Sequence, residues 1–354
     1  MSVAEQKQAE QPPPLVVDLD GTLIRSDVFA ESILRFAFAN PLQAPLILVW
    51  LLRGRAYAKA KLAERAACDP ALLPYDERVL AWLREQRAAG RALALATASD
   101  MRAARAIADH LGIFDAVFAS NGSENLKSRR KALRLVEAYP EGFCYAGNES
   151  ADLAVWRAAS QAVVVNASAG LCRRAGREFQ IERQFPRLGN GLRGLLRAIR
   201  PQRWWKNLLA FAPLVAAGDW ADQRAWIGAA LAFLALSLTA SSAYLLSDAS
   251  NIDSDRRDPR KRHRPFAAGE LSLILGMGAA VLLAIAGLAI AGQIGVLPLM
   301  LFFLAIGTLC SIGLKNIPFV NAVVVATLFV LRIVIGGVAS GSVPSDWLLA
   351  FRSE

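Results

Sequence analysis

Residues 15–22 read Leu-Val-Val-Asp-Leu-Asp-Gly-Thr, an apolar run that closes on two carboxylates and a glycine. Asp18 and Asp20 are one residue apart, so on a regular strand their side chains would point to opposite faces. Both reach one site only if the chain turns after Asp18, and Gly21 permits that turn. Further along, RALALATAS (91–99), DAVFAS (115–120), GFCYAG (142–147) and QAVVVNAS (161–168) are apolar runs separated by longer amphipathic stretches. That alternation predicts a parallel α/β sheet whose strands end at Asp18, Thr97, Ser120, Ala146 and Asn166. In such sheets ligands collect beyond the carboxyl ends of the strands.

Residues 27–87 interrupt the alternation with helical sequence. Within them PLQAPLILVWLLRG (41–54) is apolar for about 10 residues, too short to cross a bilayer. Two readings stay open: a buried cap helix, or a cap that faces a membrane and receives a lipid substrate. Residues 1–14 are polar and rich in Pro and Gln, without the apolar core of a secretory signal, and are expected to be a disordered tail.

After Asn166 the sequence is Arg-rich as far as Arg200, and beyond Pro201 long apolar runs take over. The expected domains are 15–190, a basic linker 191–207, and a polytopic helical membrane domain 208–354. Five complete runs are read as spans, at 208–218, 225–246, 271–291, 296–314 and 320–336. The first is short and rich in Ala and Pro, so it is either a tilted or broken helix or the lining of a cavity. A sixth run begins at Trp347 and is expected to be cut off, leaving a lipid cavity short of part of its wall. The cationic cluster 256–264 and Lys315 follow the second and fourth runs, whereas the alternate loops carry at most one cation. The basic loops and the first domain are therefore expected on the cytoplasmic side of the plasma membrane.

Composition narrows the chemistry. The chain has 354 residues, 55% of them hydrophobic, with a net charge of +10. The densest cationic run lies between apolar runs, so nucleic acid is not an expected partner and a lipid bilayer is. The four cysteines form no CxxC pair, which argues against zinc or a disulfide framework. With only two histidines, catalysis is expected to rest on carboxylates, Lys and Arg.

Asp18-Leu-Asp20-Gly21-Thr22 at a strand end resembles the DxDGT signature of the haloacid-dehalogenase-like hydrolases. The resemblance implies that Asp18 attacks phosphorus to form an aspartyl-phosphate, that Asp20 acts as acid and then base, and that Mg²⁺ neutralises the phosphoryl oxygens. Thr97 matches the hydroxyl of the second motif. Lys127, or alternatively Lys131, matches the lysine of the third. GNESAD (147–152) stands at the fourth, with Asn148 in place of its first aspartate and Asp152 retained. Asp18, Asp20, Asn148 and Asp152 are the implied metal set.

RPQRWWKN (200–207) resembles the opening motif of the UbiA superfamily of prenyltransferases, especially its decaprenyl-phosphate phosphoribosyltransferase branch. Trp204 and Trp205 equally suit an interface anchor. SDASNIDSDRRDPRKRHRP (247–265) resembles the first Asp-rich motif, NDxxDxxxD, with Ser247 at the Asn position and Asp248, Asn251 and Asp255 at the metal positions. Spacings of three and four place those three on one helix face, where they could hold Mg²⁺ against a diphosphate. Cys310-Ser-Ile-Gly-Leu-Lys315 with Asn321 resembles the second motif, Asn321 replacing an aspartate. Lys206, Asn207, Lys261, Arg264, Lys315 and Asn321 are the implied substrate contacts. Arg332, within LFVLRIVIGG, joins them because an intramembrane Arg usually faces a polar cavity.

The expectation is a membrane-bound transferase joining a polyprenyl phosphate to phosphoribosyl pyrophosphate, fused to a Mg²⁺-dependent phosphatase. A polyprenyl lipid and a diphosphate-bearing co-substrate are the implied partners. Two other readings remain: an aromatic-acid polyprenyltransferase with a hydrolase partner, and a membrane-anchored phosphatase whose lipid domain no longer turns over.

Overall fold

The structure is a computed structural model that describes residues 12–189, 191–218, 220–312 and 318–342. Apart from Ala268–Leu273, contacts divide the chain into two compact units at residues 190 and 191.

The first unit is built on six parallel strands: β1 (Leu15–Val17), β2 (Leu93–Asp100), β3 (Ala116–Ser120), β4 (Cys144–Gly147), β5 (Gln161–Val165) and β6 (Ile181–Phe185), in the order β3-β2-β1-β4-β5-β6. Helices between strands leave both sheet faces covered, as parallel pairing requires. Strand period 2 sorts the core: Leu15 and Val17 pack on one face with Val79, Leu83 and Ile107, while Val16 packs on the other with Leu135, Tyr145 and Trp156. Expectation and structure part at two places. β6 falls in the Arg-rich stretch where no strand was expected, because IERQF is an edge strand with mostly polar side chains. Pro13 and Pro14, placed in a disordered tail, instead accept hydrogen bonds from Arg91 Nε (2.8 Å) and Cys144 N (2.9 Å). Residues 1–11 of that tail lie outside the described residues.

The insert after β1 folds as α1 (Val28–Ala39), α2 (Leu46–Leu52), α3 (Arg55–Arg65) and α4 (Glu77–Ala88). Asp27 and Asp76 start α1 and α4 by accepting the Ala30 and Arg78 amides. The expectation of a buried cap helix holds for one side only. Ile47 and Trp50 of α2 pack against Phe36, Ala58 and Leu62, whereas Leu48 and Leu52 are exposed. The remaining helices are α5 (Met101–Leu111), α6 (Arg129–Ala138), α7 (Leu153–Trp156) and α8 (Ala169–Glu178).

The second unit is helical. It comprises α9 (Gly191–Ile199), a 3-10 segment at Pro201–Phe211, α10 (Ala212–Ala217), α11 (Gln223–Ser250), α12 (Ile252–Arg257), α13 (Leu273–Gln293), α14 (Leu297–Ile312) and α15 (Pro318–Ser340). Among the described residues three helices are long and apolar enough to cross a membrane, at Gln223–Ser250, Leu273–Gln293 and Ala322–Ser340, and Leu297–Thr308 is a shorter apolar helix. The first of the five expected spans, 208–218, is a broken helix: the end of the 3-10 segment is followed by the six-residue α10. Gly218 at φ +75° closes α10 in the left-handed conformation. The sixth run, from Trp347, lies outside the described residues.

α11 presents small residues inward, among them Ala229, Ala232, Ala235 and Ser237. Small side chains let helix backbones approach closely where lipid supplies no hydrophobic drive. Gly336 of α15 does the same: a Cβ there would stand 2.0 Å from the Ala210 carbonyl oxygen.

Candidate functional site

Asp18 follows β1 directly, and the chain turns over residues 19–23 so that Asp18 and Asp20 lie together at the sheet's carboxyl edge. Gly21, at φ +78°, makes the turn, and a Cβ on it would come within 2.0 Å of Asn148 Nδ2. The positive φ favours glycine at residue 21, and any larger side chain there would displace the Asn148 amide. β1 pairs with β2 on one side and β4 on the other, so Asp18 lies where the strand order reverses direction.

The buried Lys131 ammonium donates to Asp18 Oδ1 at 2.7 Å and to the Tyr145 hydroxyl at 2.8 Å. That hydroxyl in turn donates to Asp152 Oδ1 at 2.9 Å. Asp152 Oδ2 accepts the amides of Asn148 (2.9 Å) and Glu149 (3.0 Å), so both its oxygens hold protein donors and it braces the 147–152 loop. Burial, with the Asp152 charge adding to it, pushes the Asp18 carboxyl up to about 6 against the pull of Lys131.

Asp20 turns the other way. Its Oδ1 accepts the Val28 amide and its Oδ2 the Ser99 hydroxyl, both at 2.8 Å. Burial and the charges of Asp27 and Asp18 lift its pKa to about 7. Thr97 is buried, its Oγ1 accepting the Ser99 amide at 3.0 Å.

Of the two candidate lysines, Lys131 reaches Asp18. Lys127 instead precedes α6, is 45% exposed and pairs with Glu149 at 2.9 Å. Sequence reasoning passed over Ser99 and Tyr145. Ser99 is two residues beyond Thr97 in the same strand, which was the available signal; nothing local marks Tyr145.

The fit of this site to Mg²⁺ rests on Asn148. Its Oδ1 is buried with no hydrogen-bond partner, a carbonyl oxygen of the kind a hard cation takes. Asp18 is the other oxygen donor that would suit such a cation. Among the described residues no three His, Cys, Asp or Glu side chains converge as a metal site, so the expected set of Asp18, Asp20 and Asp152 is not drawn together as one group of ligands.

In the second unit the Asp-rich motif is held by arginines. Arg200, at φ +57°, donates from Nη2 to both oxygens of Asp248 at 2.7 Å. Arg264 bridges Asp248 (3.1 Å) and Asp255 (2.9 Å). Both carboxylates are buried. Asn251 donates to Ser247 O and Ser250 Oγ. With its carboxylates committed to guanidinium groups, this arrangement does not fit a metal ion. Arg197, Arg200, Arg203, Arg260, His263 and Arg264 line an adjoining cavity of about 290 Å³.

The other expected contacts separate. Asn207 and Arg332 are buried and joined, Arg332 Nε donating to Asn207 Oδ1 at 2.9 Å while Asn207 Nδ2 donates to Ser237 Oγ at 3.0 Å. They form a polar clamp between α15, the 3-10 segment and α11, not two free substrate contacts. Lys206 lies 5.9 Å from the Trp205 ring centroid, and Lys261 pairs with Asp258 at 2.9 Å. Lys315 and the Asn321 side chain lie outside the described residues.

These features define a two-domain protein, a parallel α/β unit followed by a helical unit that carries candidate membrane spans. Residues 208–352 match the UbiA prenyltransferase family, and the C-terminal region is a domain of that family. A Sinorhizobium fredii protein, "Uncharacterized protein y4nM", is 36% identical over 345 residues, covering 96% of this chain and 66% of its own. The decaprenyl-phosphate phosphoribosyltransferase of Corynebacterium glutamicum is 38% identical over 168 residues, 44% of this chain and 49% of that enzyme. The chain thus spans between about half and two thirds of these relatives' lengths. A substrate-bound phosphoserine phosphatase structure is 19% identical, with a TM-score of 0.37, over 53% of this chain and 98% of that one.

Proposed function

We propose that this chain is a membrane-bound enzyme of two activities: a phosphomonoesterase in the first unit, and in the second a UbiA-type transfer of a phosphoribosyl group from phosphoribosyl pyrophosphate to a polyprenyl phosphate. The observation that carries the first part is the buried Lys131–Asp18 contact beside Asp20. Asp18 attacks phosphorus and Lys131 holds the nucleophile and the incoming phosphoryl oxygens. Asp20, which burial and neighbouring charge bring near neutral pH, protonates the leaving oxygen and then takes a proton from the attacking water. Ser99 and the Val28 amide fix its carboxylate. Asp18 and Asn148 would hold Mg²⁺, which supplies charge neutralisation to the phosphoryl group.

The second part is supported by the phosphoribosyltransferase relatives and by the arginine-lined cavity, whose cations suit a phosphorylated sugar. No metal step is derived there. A phosphatase fused to such a transferase has an evident task, removal of the 5-phosphate from the phosphoribosyl lipid. The charge bias of the loops supports a plasma-membrane protein whose basic loops and hydrolase unit are cytoplasmic.

The test incubates membranes carrying the chain with labelled phosphoribosyl pyrophosphate and polyprenyl phosphate. Label in the lipid phase is the expected result. No such label, with transfer instead from a prenyl diphosphate to an aromatic acid, would replace this reading with the aromatic prenyltransferase one.

A further inference from the structure

In the cap of the first unit, α2 has the sequence LILVWLL and no polar side chain on any face. A helix at the surface of a soluble domain normally turns polar residues outward. Here the inward side, Ile47 and Trp50, fills a small core with Phe36, Ala58 and Leu62, and the outward side is also aliphatic. Leu42 is 96% exposed, Leu48 65% and Leu52 89%, with Leu46 and Val49 partly exposed between them.

Charge on this segment has one sign. Between Glu31 and Glu64 the sequence holds no Asp or Glu but five cations. Two of them, Arg53 and Arg55, are exposed at the end of α2. The two limbs Val28–Ala39 and Pro41–Leu52 are bent at 117°, so they do not run as one straight helix through a bilayer. The combination is that of a segment lying in a membrane interface: aliphatic side chains to enter the headgroup and acyl boundary, arginines to meet anionic headgroups. The candidate spans of the same polypeptide keep a membrane within reach.

We infer that the exposed face of Leu42–Leu52 with Arg53 and Arg55 is a bilayer-docking surface that seats the cap on an anionic leaflet. The partner is the lipid surface itself, and the assignment does not depend on what Asp18 and Asp20 catalyse. Docking would bring the cap, and the carboxylate site beneath it, to amphiphilic substrates held in the leaflet.

A benzophenone photocrosslinking residue placed at Leu48, and separately at Leu52, tests this in the full chain reconstituted into vesicles of phosphatidylcholine and phosphatidylglycerol. Both positions are exposed, so the fold tolerates the bulk, and Leu133, 60% exposed on α6, is the control. Phospholipid adducts are expected at Leu48 and Leu52 and not at Leu133, with yields falling about threefold or more in pure phosphatidylcholine. Adducts to protein only, no adduct at either position, or equal lipid labelling at Leu133 would overturn the proposal. Equal yields without the anionic lipid would overturn the part assigned to the arginines.

Discussion

Both units place two aspartates among cations, and they do so with opposite outcomes. In the first, Asp18 is hydrogen-bonded by one lysine, and Asp20 feels Lys59 and Lys131 only through longer-range attraction, so burial dominates and both carboxyls rise toward neutral pH. In the second, Asp248 and Asp255 share Arg264 and Asp248 also takes Arg200, so that, although burial raises the Asp255 carboxyl as well, the oxygens of both are used in charge-assisted hydrogen bonds. One lysine leaves a carboxylate able to react, whereas two planar guanidinium groups convert a pair of carboxylates into scaffold. The Asp-rich motif of the second unit thereby fixes arginines around a cavity, and its negative charge orients cations.

Removing Lys131 should have the largest effect of any cation. Lys131→Met leaves Asp18 and the Tyr145 hydroxyl without their buried donor. The expected result is a fall in kcat of about 10²-fold or more on a phosphomonoester, with about 3 kcal/mol of stability lost. Lys127→Met should change kcat by less than about threefold, since its ion pair is exposed. A reversed order, read by steady-state kinetics, would move the phosphate-contacting role to Lys127.

Arg264→Leu strips one partner from Asp248 and the partner seen on Asp255. Because both carboxylates are buried, a loss of about 2–4 kcal/mol is expected, read as a lower unfolding temperature in detergent. An unchanged unfolding temperature would show that the arginines hold no scaffold there. Tyr145→Phe is smaller, deleting a hydroxyl that links Lys131 to Asp152, and about 1–2 kcal/mol is expected in chemical denaturation. Equal stability of Tyr145→Phe and the parent would break the link between the two groups.

The smallest effect is a pH dependence. Burial alone would raise the pKa of Asp76, but hydrogen bonds from Arg78 and Asn166 and the charge of Arg25 hold it below the ordinary carboxylate value. A depressed carboxyl contributes stability above its unfolded pKa, near 4, and loses it as pH falls through the folded value. Asp76→Asn should therefore destabilise at neutral pH and flatten the acid limb of the stability curve. An acid limb as steep as the parent's would assign it to other carboxylates.

Sequence legibility followed the distance over which a residue's role is set. The Asp18–Thr22 turn was readable because glycine, carboxylates and strand end are neighbours. β6 was not, since an edge strand of polar residues lacks the apolar run that marked its neighbours. Lys127 and Lys131 are four residues apart, and their roles depend on where α6 begins, a boundary that composition does not fix. The pairing of Arg200 with Asp248 spans 48 residues and follows from helix packing alone. The same holds for Asn207 with Arg332, where two residues read separately as ligands prove to be each other's partners. In the cap, apolarity was legible but which side of it is exposed was not.

The most direct test of the central claim is phosphomonoester hydrolysis by the full chain with Mg²⁺, comparing the parent with Asp18→Asn. The substitution keeps shape and removes the nucleophilic oxygen, so a rate lower by at least about 10³-fold is predicted. Hydrolysis within a few-fold of the parent would contradict the assignment of Asp18 as the attacking group.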